Sequence, residues 1–117
     1  MLLTDEHRYK ILKLIENNPS ISQRELAKHM GISVGKVNFC LKALIEKGLI
    51  KATNFRNSKN KLAYMYLITP RGIEEKASVT IRFLKEKVHD YERLSAEIEE
   101  LRLEARRTHS ISRVKHS

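Results

Sequence analysis

The last third of the chain limits the possible folds more strongly than any other segment. No proline follows Pro70 and no glycine follows Gly72, so nothing in it interrupts a helix. Apolar residues recur at steps of three and four, close to coiled-coil heptads, with one three-residue slip between Tyr91 and Leu94. This apolar stripe consists of Ala77, Ile81, Leu84, Val88, Tyr91, Leu94, Ile98, Leu101 and Ala105.

A helix from Pro70 to about Arg107 would be about 55 Å long at about 1.5 Å per residue. A globular domain of about 70 residues is narrower than that, so the far end of the helix needs another chain. The near end, around Ile73 and Ala77, can pack on its own domain. The sequence therefore predicts a homodimer formed through residues 70–107, with parallel and antiparallel pairing both open. Residues 108–117 contain no acidic group, and we predict a basic flexible tail there.

Residues 1–69 carry the start and stop signals of three short helices. Thr4 can cap the first helix. The sequence Ser22-Gln23-Arg24-Glu25 fits a capping box that begins the second helix, and Gly31 can end it in the left-handed conformation. Ser33 can cap a third helix, which stops at Gly48.

After Gly48 the apolar period changes from helical to alternating, which predicts two strands over residues 49–55 and 62–69. The polar residues 56–61 between them predict a hairpin with a basic tip. Thr69 and Pro70 then form a helix start, with threonine as the cap. The expected fold class is mainly α (α+β), a three-helix domain with a two-stranded wing and a long C-terminal helix.

The segment from Arg24 to Cys40 predicts a helix-turn-helix. Two helices joined by so short a turn cross steeply, and the small Ala27 suits the crossing point. Gly31 permits the tight turn, while Ile32, Val37 and Cys40 supply apolar positions that fasten the third helix.

Because of this spacing of alanine, glycine and apolar residues, positions 3–50 resemble the helix-turn-helix of Lrp/AsnC and MarR regulators. The chain as a whole resembles the compact MarR-type regulators associated with exopolysaccharide gene clusters. That resemblance implies a winged helix-turn-helix over residues 1–69 and sequence-specific regulation of transcription, with exopolysaccharide genes as the target. The chain lacks the N-terminal dimerisation helix of larger MarR proteins, so we expect the terminal helix alone to make the dimer. Most of the interface where those relatives bind phenolic ligands is then missing, and no small-molecule effector is expected.

The charge distribution favours a polyanionic partner for the N-terminal part. The net charge of +9 divides into +7 for residues 1–70, −2 for residues 71–104 and +4 for residues 105–117. No apolar run is long enough to span a membrane, and the N-terminus does not resemble a signal peptide. A single cysteine excludes an internal disulfide and fits a reducing compartment. We therefore expect a cytoplasmic protein that binds double-stranded DNA.

In the expected complex the third helix lies in the major groove. Asn38 can pair with adenine and Lys36 with guanine, while Val34 or Phe39 can touch a thymine methyl and Gly35 permits a close approach. Phosphate contacts are predicted from the second and third helices and from the hairpin tip. These residues are Ser22, Gln23, Ser33, Lys42, Arg56, Lys59 and Lys61.

Several of these residues have simpler interpretations, which the sequence leaves open. Phe39 is as compatible with a half-buried core position as with the groove, and the basic tip can be a solvated turn that protects an edge strand. Cys40 falls on a core position and is expected to be a small apolar residue. The five histidines lack metal-ligand spacing, and no catalytic or phosphate-loop motif occurs. We therefore predict no enzyme activity, no metal and no cofactor.

Two other functions remain compatible with the same pattern. The winged domain can be the scaffold of a protein-interaction adaptor that recruits partners through the coiled coil. Alternatively, the protein can bind DNA without regard to sequence, as architectural proteins do. An adaptor does not need Lys36, Asn38 or the basic tip, which is the feature that separates it from a regulator.

Overall fold

The computed structural model describes residues 3–56 and 62–115, with side chains for residues 3–54 and 64–110. Four helices and one antiparallel hairpin follow one another in the predicted order, and the predicted winged-helix fold class is confirmed. The elements are α1 (Asp5–Asn17), α2 (Gln23–Met30), α3 (Val34–Glu46), β1 (Ile50–Arg56), β2 (Leu62–Ile68) and α4 (Pro70–Lys115).

Each of the first three helices begins at the hydroxyl residue that the sequence indicates. Thr4 Oγ1 accepts from the backbone N–H of His7 at 3.1 Å, and Ser33 Oγ accepts from that of Lys36 at 3.1 Å. Ser22 forms the complete capping box with Glu25. These bonds satisfy backbone donors that the first turn of a helix leaves without partners.

The two predicted stop glycines adopt the left-handed conformation, Gly31 with φ 66° and Gly48 with φ 73°. An L side chain is strained there, which is why glycine ends these helices efficiently. Gly31 thereby sets the turn between α2 and α3, and Gly48 the turn into β1.

The core lies where the apolar sides of α1, α2 and α3 meet the base of the hairpin. Leu12, Leu26 and Leu44 are each 0% exposed, and such full burial of leucine contributes about 1.5–3 kcal/mol per side chain. The complete cluster is Ile11, Leu12, Ile15, Ile21, Leu26, Ala27, Met30, Val37, Cys40, Leu41, Leu44, Leu49, Ile50 and Tyr66.

The wing is a simple hairpin in which Ile50 faces Ile68 and Arg56 faces Leu62. β1 is displaced by one residue from the predicted range and starts at Ile50, whereas β2 starts as predicted and ends one residue early, at Ile68. The predicted cap of α4 is confirmed, because Thr69 Oγ1 accepts from the N–H of Gly72 at 3.0 Å. Thr69 also donates to the carbonyl of Gly48 at 2.6 Å, which ties the end of the wing to its beginning.

The first compact unit of the chain extends to Phe83 and thus includes the start of α4, whereas the sequence predicted a boundary after residue 69. Val79 is fully buried, and the ring centroids of Phe83 and Tyr9 lie 5.3 Å apart. Lys76 Nζ lies 2.6 Å from Glu16 Oε2. Residues 76, 79 and 83 are spaced by three and four, so they share one helix face, and that face packs on α1.

The predicted near-end contacts of α4 use other residues than expected. Ile73 and Ala77 are exposed, as is Ile81, because they lie on a different side of the helix from Val79. The helix itself continues to Lys115, past the predicted end at Arg107 and through most of the predicted tail. The absence of an apolar period does not end a helix when no glycine or proline intervenes, and basic residues near a C-terminus are favourable to the helix dipole.

The second unit, residues 84–117, contains the rest of α4. Its large apolar side chains in the described part are exposed. They are Leu84, Val88, Tyr91, Leu94, Ile98, Leu101 and Leu103. Among the described residues, no helix combines the length and the apolar character needed to cross a membrane.

An ion pair between the start of α1 and α4 is expected to make stability depend on acid pH. Arg82 Nε donates to Asp5 Oδ2 at 2.9 Å, and this hydrogen bond holds the pKa of Asp5 below its usual value despite some opposing desolvation. A lowered folded-state pKa adds stability above the unfolded value of about 3.9 and loses it as the pH falls through the folded value.

Asp5→Asn should therefore lower the melting temperature at neutral pH and match the wild type in strong acid, as followed by circular dichroism. Asp90→Asn, which removes an exposed pair with Arg93 inside α4, serves as the control and should leave melting of the first unit unchanged. A difference between Asp5→Asn and the wild type that is the same at every pH would contradict this role of the pair.

Candidate nucleic-acid interface

Helix α3 has one buried side and one side that is exposed among the described residues. Val37, Cys40, Leu41 and Leu44 are at most 2% exposed. On the opposite side Gly35, Phe39 and Lys42 are exposed, Phe39 by 42%. Of the two interpretations of Phe39, the surface position is the one that the structure favours. The exposed residues form a short polar and aromatic face, here called the outer face of α3.

Lys36 and Asn38 lie on the two flanks of the outer face and are half-buried. Residues two apart on a helix are separated by about 200°, so they cannot share one side. Burial lowers the pKa of His7 in α1, and the Lys36 charge lowers it further, which puts the ammonium group on the α1 side of α3. Asn38 lies on the opposite flank, toward α2.

Asn38 belongs to a hydrogen-bonded chain that joins α3 to α2 and the wing. Its Nδ2 donates to Gln23 Oε1 at 3.3 Å, and Gln23 Nε2 donates to the hydroxyl oxygen of Tyr66 at 3.4 Å. Gln23 was predicted as a phosphate anchor, but it is half-buried and its amide is used inside the protein. Tyr66 was not predicted as a site residue.

The N-termini of α2 and α3 expose two hydroxyl groups. Ser22 Oγ and Ser33 Oγ each accept a bond from their own helix, so each can still donate its proton to an external oxygen. Val34 beside Ser33 is 46% exposed. A Cβ at Gly35 would meet no atom closer than Ser33 Oγ at 4.0 Å, so the protein itself does not require glycine there. Helix N-termini favour anions, which fits both serines as phosphate ligands.

The predicted basic tip of the wing falls outside the residues whose side chains are described. Arg56 is the last residue of β1, and its side chain, like the whole of Lys59 and Lys61, is not among them. Their contact with DNA stays a prediction.

Cys40 is 1% exposed, and burial raises the pKa of its thiol. A buried thiol with a raised pKa is a poor nucleophile, in agreement with its predicted role as a small apolar residue. In the part of the chain that the structure describes, no three His, Cys, Asp or Glu side chains come together as metal ligands.

Comparison with known proteins agrees with this geometry. The family described as winged helix-turn-helix DNA-binding matches residues 4–51, from the cap of α1 to the start of β1. The HTH-type transcriptional regulator LrpA of Pyrococcus horikoshii is 31% identical over 90 residues, which are 77% of this chain and 62% of that protein. This chain therefore spans less than two thirds of the length of that curated relative.

Solved structures with a similar fold include regulators of the MarR family. The adhesin competence repressor AdcR of Streptococcus pyogenes has a TM-score of 0.57 at 21% identity, over 80% of this chain and 65% of that one. MepR of S. aureus, solved as a complex with DNA, has a TM-score of 0.56 at 19% identity, over 71% of this chain and 57% of that one. At these identities the likeness establishes the shared fold.

Proposed function

Because the chain carries a winged helix-turn-helix DNA-binding domain, we propose that it is a cytoplasmic, MarR-type transcriptional regulator that binds duplex DNA as a homodimer. The observation that carries the proposal is the exposed outer face of α3, together with the exposed serines at the N-termini of α2 and α3. Exopolysaccharide genes are the proposed target, on the resemblance of the whole chain. A small-molecule effector is not part of the proposal.

In the proposed complex, α3 enters the major groove with Gly35 and Phe39 nearest the bases. Phe39 offers an apolar edge to a thymine methyl, and Val34 does the same one turn earlier. Asn38 on one flank reads adenine, and Lys36 on the other reaches guanine. The different flanks imply that Lys36 and Asn38 contact base pairs on opposite sides of the helix axis.

Phosphate contacts supply most of the affinity in this proposal. Ser22 and Ser33 donate hydroxyl protons at positive helix ends, and Lys42 adds a charge on the outer face. Arg56, Lys59 and Lys61 of the wing tip reach the adjacent backbone or minor groove. Each phosphate neutralised steepens the salt dependence of binding by about 0.9 in a log–log plot.

The apolar stripe of α4 makes the dimer in this proposal. Leu84, Val88 and Leu94 are among its exposed members in the second unit, and heptad spacing is self-complementary between two copies of one chain. Ala77 and Ile81 belong to the first unit and are exposed as well. Two DNA-binding domains on half-sites about one helical turn apart then combine their affinities.

A test needs a duplex that the protein prefers, obtained by repeated selection from a random-sequence duplex library. We expect the selected duplex to bind at least about 10³-fold more tightly than unselected duplex at the same salt. Phe39→Ala should weaken only the selected duplex, because Phe39 reads bases. Lys42→Ala should weaken both duplexes and lower the salt slope by about 0.9, because Lys42 contacts phosphate. Fluorescence anisotropy at several salt concentrations measures both effects.

Lys13→Ala is the matched control, since Lys13 is an exposed lysine on α1 whose Nζ lies 5.7 Å from the centroid of the Tyr9 ring. It should leave the affinity for both duplexes and the salt slope unchanged. Equal affinity for selected and unselected duplex would replace the regulator by an architectural DNA-binding protein. Dimerisation without affinity for either duplex would favour the adaptor instead.

A further inference from the structure

A chain of two hydrogen bonds connects the wing to the flank of the recognition helix α3. It runs from Asn38 through Gln23, the first residue of α2, to Tyr66 in β2. Tyr66 is the fixed end of this chain. Its side chain is only 4% exposed, and its backbone N–H donates to the carbonyl of Pro19 at 2.8 Å. The position of the Tyr66 hydroxyl is therefore set by the core.

The direction of the chain decides what Asn38 offers to an external group. A carboxamide has an oxygen that accepts and an NH₂ group that donates two hydrogens. Because Gln23 Nε2 donates to Tyr66, Gln23 Oε1 is turned toward Asn38 and takes one of its N–H groups. Asn38 is then left with Oδ1 as an acceptor beside one remaining N–H donor.

An acceptor beside a donor matches adenine, which shows an N6–H donor and an N7 acceptor in the major groove. A reversed amide at Gln23, whose Oε1 would accept from the Tyr66 hydroxyl, would instead bind Asn38 Oδ1 and leave two N–H donors facing outward. Two donors match guanine, whose O6 and N7 both accept. The same asparagine can thus read either purine, and its partner inside the protein makes the choice.

We propose that Gln23 and Tyr66 are positioning residues that set the base specificity of Asn38, holding its amide in the orientation that reads adenine in preference to guanine. The inference rests on the proposed function and names two residues that act without touching a base. The bonds of 3.3 and 3.4 Å are long, so each is weak alone, and the effect depends on the two acting in series.

The test starts from the selected duplex and the base pair whose preference disappears in Asn38→Ala. For the wild type we expect adenine to be favoured over guanine there by about 5- to 150-fold, the range for a bidentate contact. Tyr66→Phe removes the hydroxyl and keeps the buried ring, so the ratio should fall toward one. Affinity for unselected duplex should stay the same. Tyr64→Phe is the control, because Tyr64 lies on the same strand but is 61% exposed and outside the hydrogen-bonded chain.

A rescue separates positioning from general loss of structure. In Gln23→Glu the carboxylate that faces Asn38 can only accept hydrogen bonds, whether or not the residue at position 66 carries a hydroxyl group. The double variant Gln23→Glu with Tyr66→Phe should therefore recover the adenine preference that Tyr66→Phe loses, although the added negative charge weakens binding to all duplexes. If Tyr66→Phe does not fold, as judged by circular dichroism, Gln23→Ala interrupts the chain at a half-buried position and should lose the preference in the same way.

Several outcomes would overturn the inference alone. These are an unchanged adenine-to-guanine ratio in Tyr66→Phe, an equal loss for all sequences, no base preference that depends on Asn38, or no recovery in the double variant. A wild-type protein that selects no sequence from the library would overturn the proposed function and this inference together.

Discussion

Replacing Leu94 and Ile98 with aspartate is expected to turn the proposed dimer into a monomer and to lower affinity for a duplex with two half-sites by about 10²- to 10⁴-fold. The loss follows from effective concentration, because the second half-site contact becomes a separate binding event once the subunits part. Leu94 is 55% exposed and Ile98 40% exposed in the single chain. An aspartate at either position would place an unpaired charge in the apolar seam, where charge is costly to bury.

The matched control is the pair Ala96→Asp and Leu103→Asp on the same helix. These positions lie roughly opposite Leu94 around the helix, at about 100° per residue. The control adds the same two charges and also removes a leucine, since Leu103 is 44% exposed. It should remain dimeric by analytical ultracentrifugation and keep its affinity for the selected duplex.

Affinity for a duplex with one half-site distinguishes a lost interface from a damaged DNA-binding domain. The Leu94 and Ile98 variant should bind it as well as the wild type does. If this variant stays dimeric, the apolar stripe is not the dimer interface. If the control variant dissociates as well, then added charge rather than position causes the loss.

Gly72→Ala is expected to destabilise the first unit by about 1–3 kcal/mol. Gly72 is buried in the first turn of α4, where an added Cβ would collide with the carbonyl oxygen of Leu49 and lie 2.7 Å from Ile68 Cγ2. The same carbonyl accepts from the N–H of Thr69 at 3.0 Å, so moving it disturbs the junction of wing and helix. Alanine would otherwise favour a helix by about 1 kcal/mol, which the collision outweighs.

Gly35→Ala is the matched control, because it makes the same substitution near the start of α3 with open space for the Cβ. It should leave the free energy of unfolding unchanged or raise it by up to about 1 kcal/mol. Urea denaturation followed by circular dichroism gives both values. Equal stability of Gly72→Ala and the wild type would mean that α4 can shift away from Leu49 at little cost.

Helix starts and stops were predictable because their signals act over three or four residues. The hydroxyl of Ser22 meets the backbone of Glu25, and Gly31 adopts its left-handed conformation, in ways that need no distant partner. The change of period after Gly48 located the two strands to within one residue. The sequence predicts the end of α4 too early, because the apolar period stops before the helix does and no glycine or proline breaks the helix there.

The candidate site was predicted in part, because the spacing of apolar residues within one helix is also a local signal. The spacing in α3 identified its buried side, and its N-terminal residues followed as the outer face. The spacing also separates Lys36 from Asn38 around the helix, but it could not identify their neighbours, since these are His7 in α1 and Gln23 in α2. Phe39 could not be assigned to core or surface from one helix alone.

The sequence by itself determined the order of the elements, the helix caps, the buried side of α3 and the apolar stripe of α4, because each depends on neighbours along the chain or on a simple period. Only the tertiary structure decided which residues of α4 pack on α1, and which side chain orients Asn38. Asp5 and Arg82 are 77 residues apart and Gln23 and Tyr66 are 43 apart. Such pairs form only when the core brings two distant elements together at one angle, and no local pattern encodes that angle.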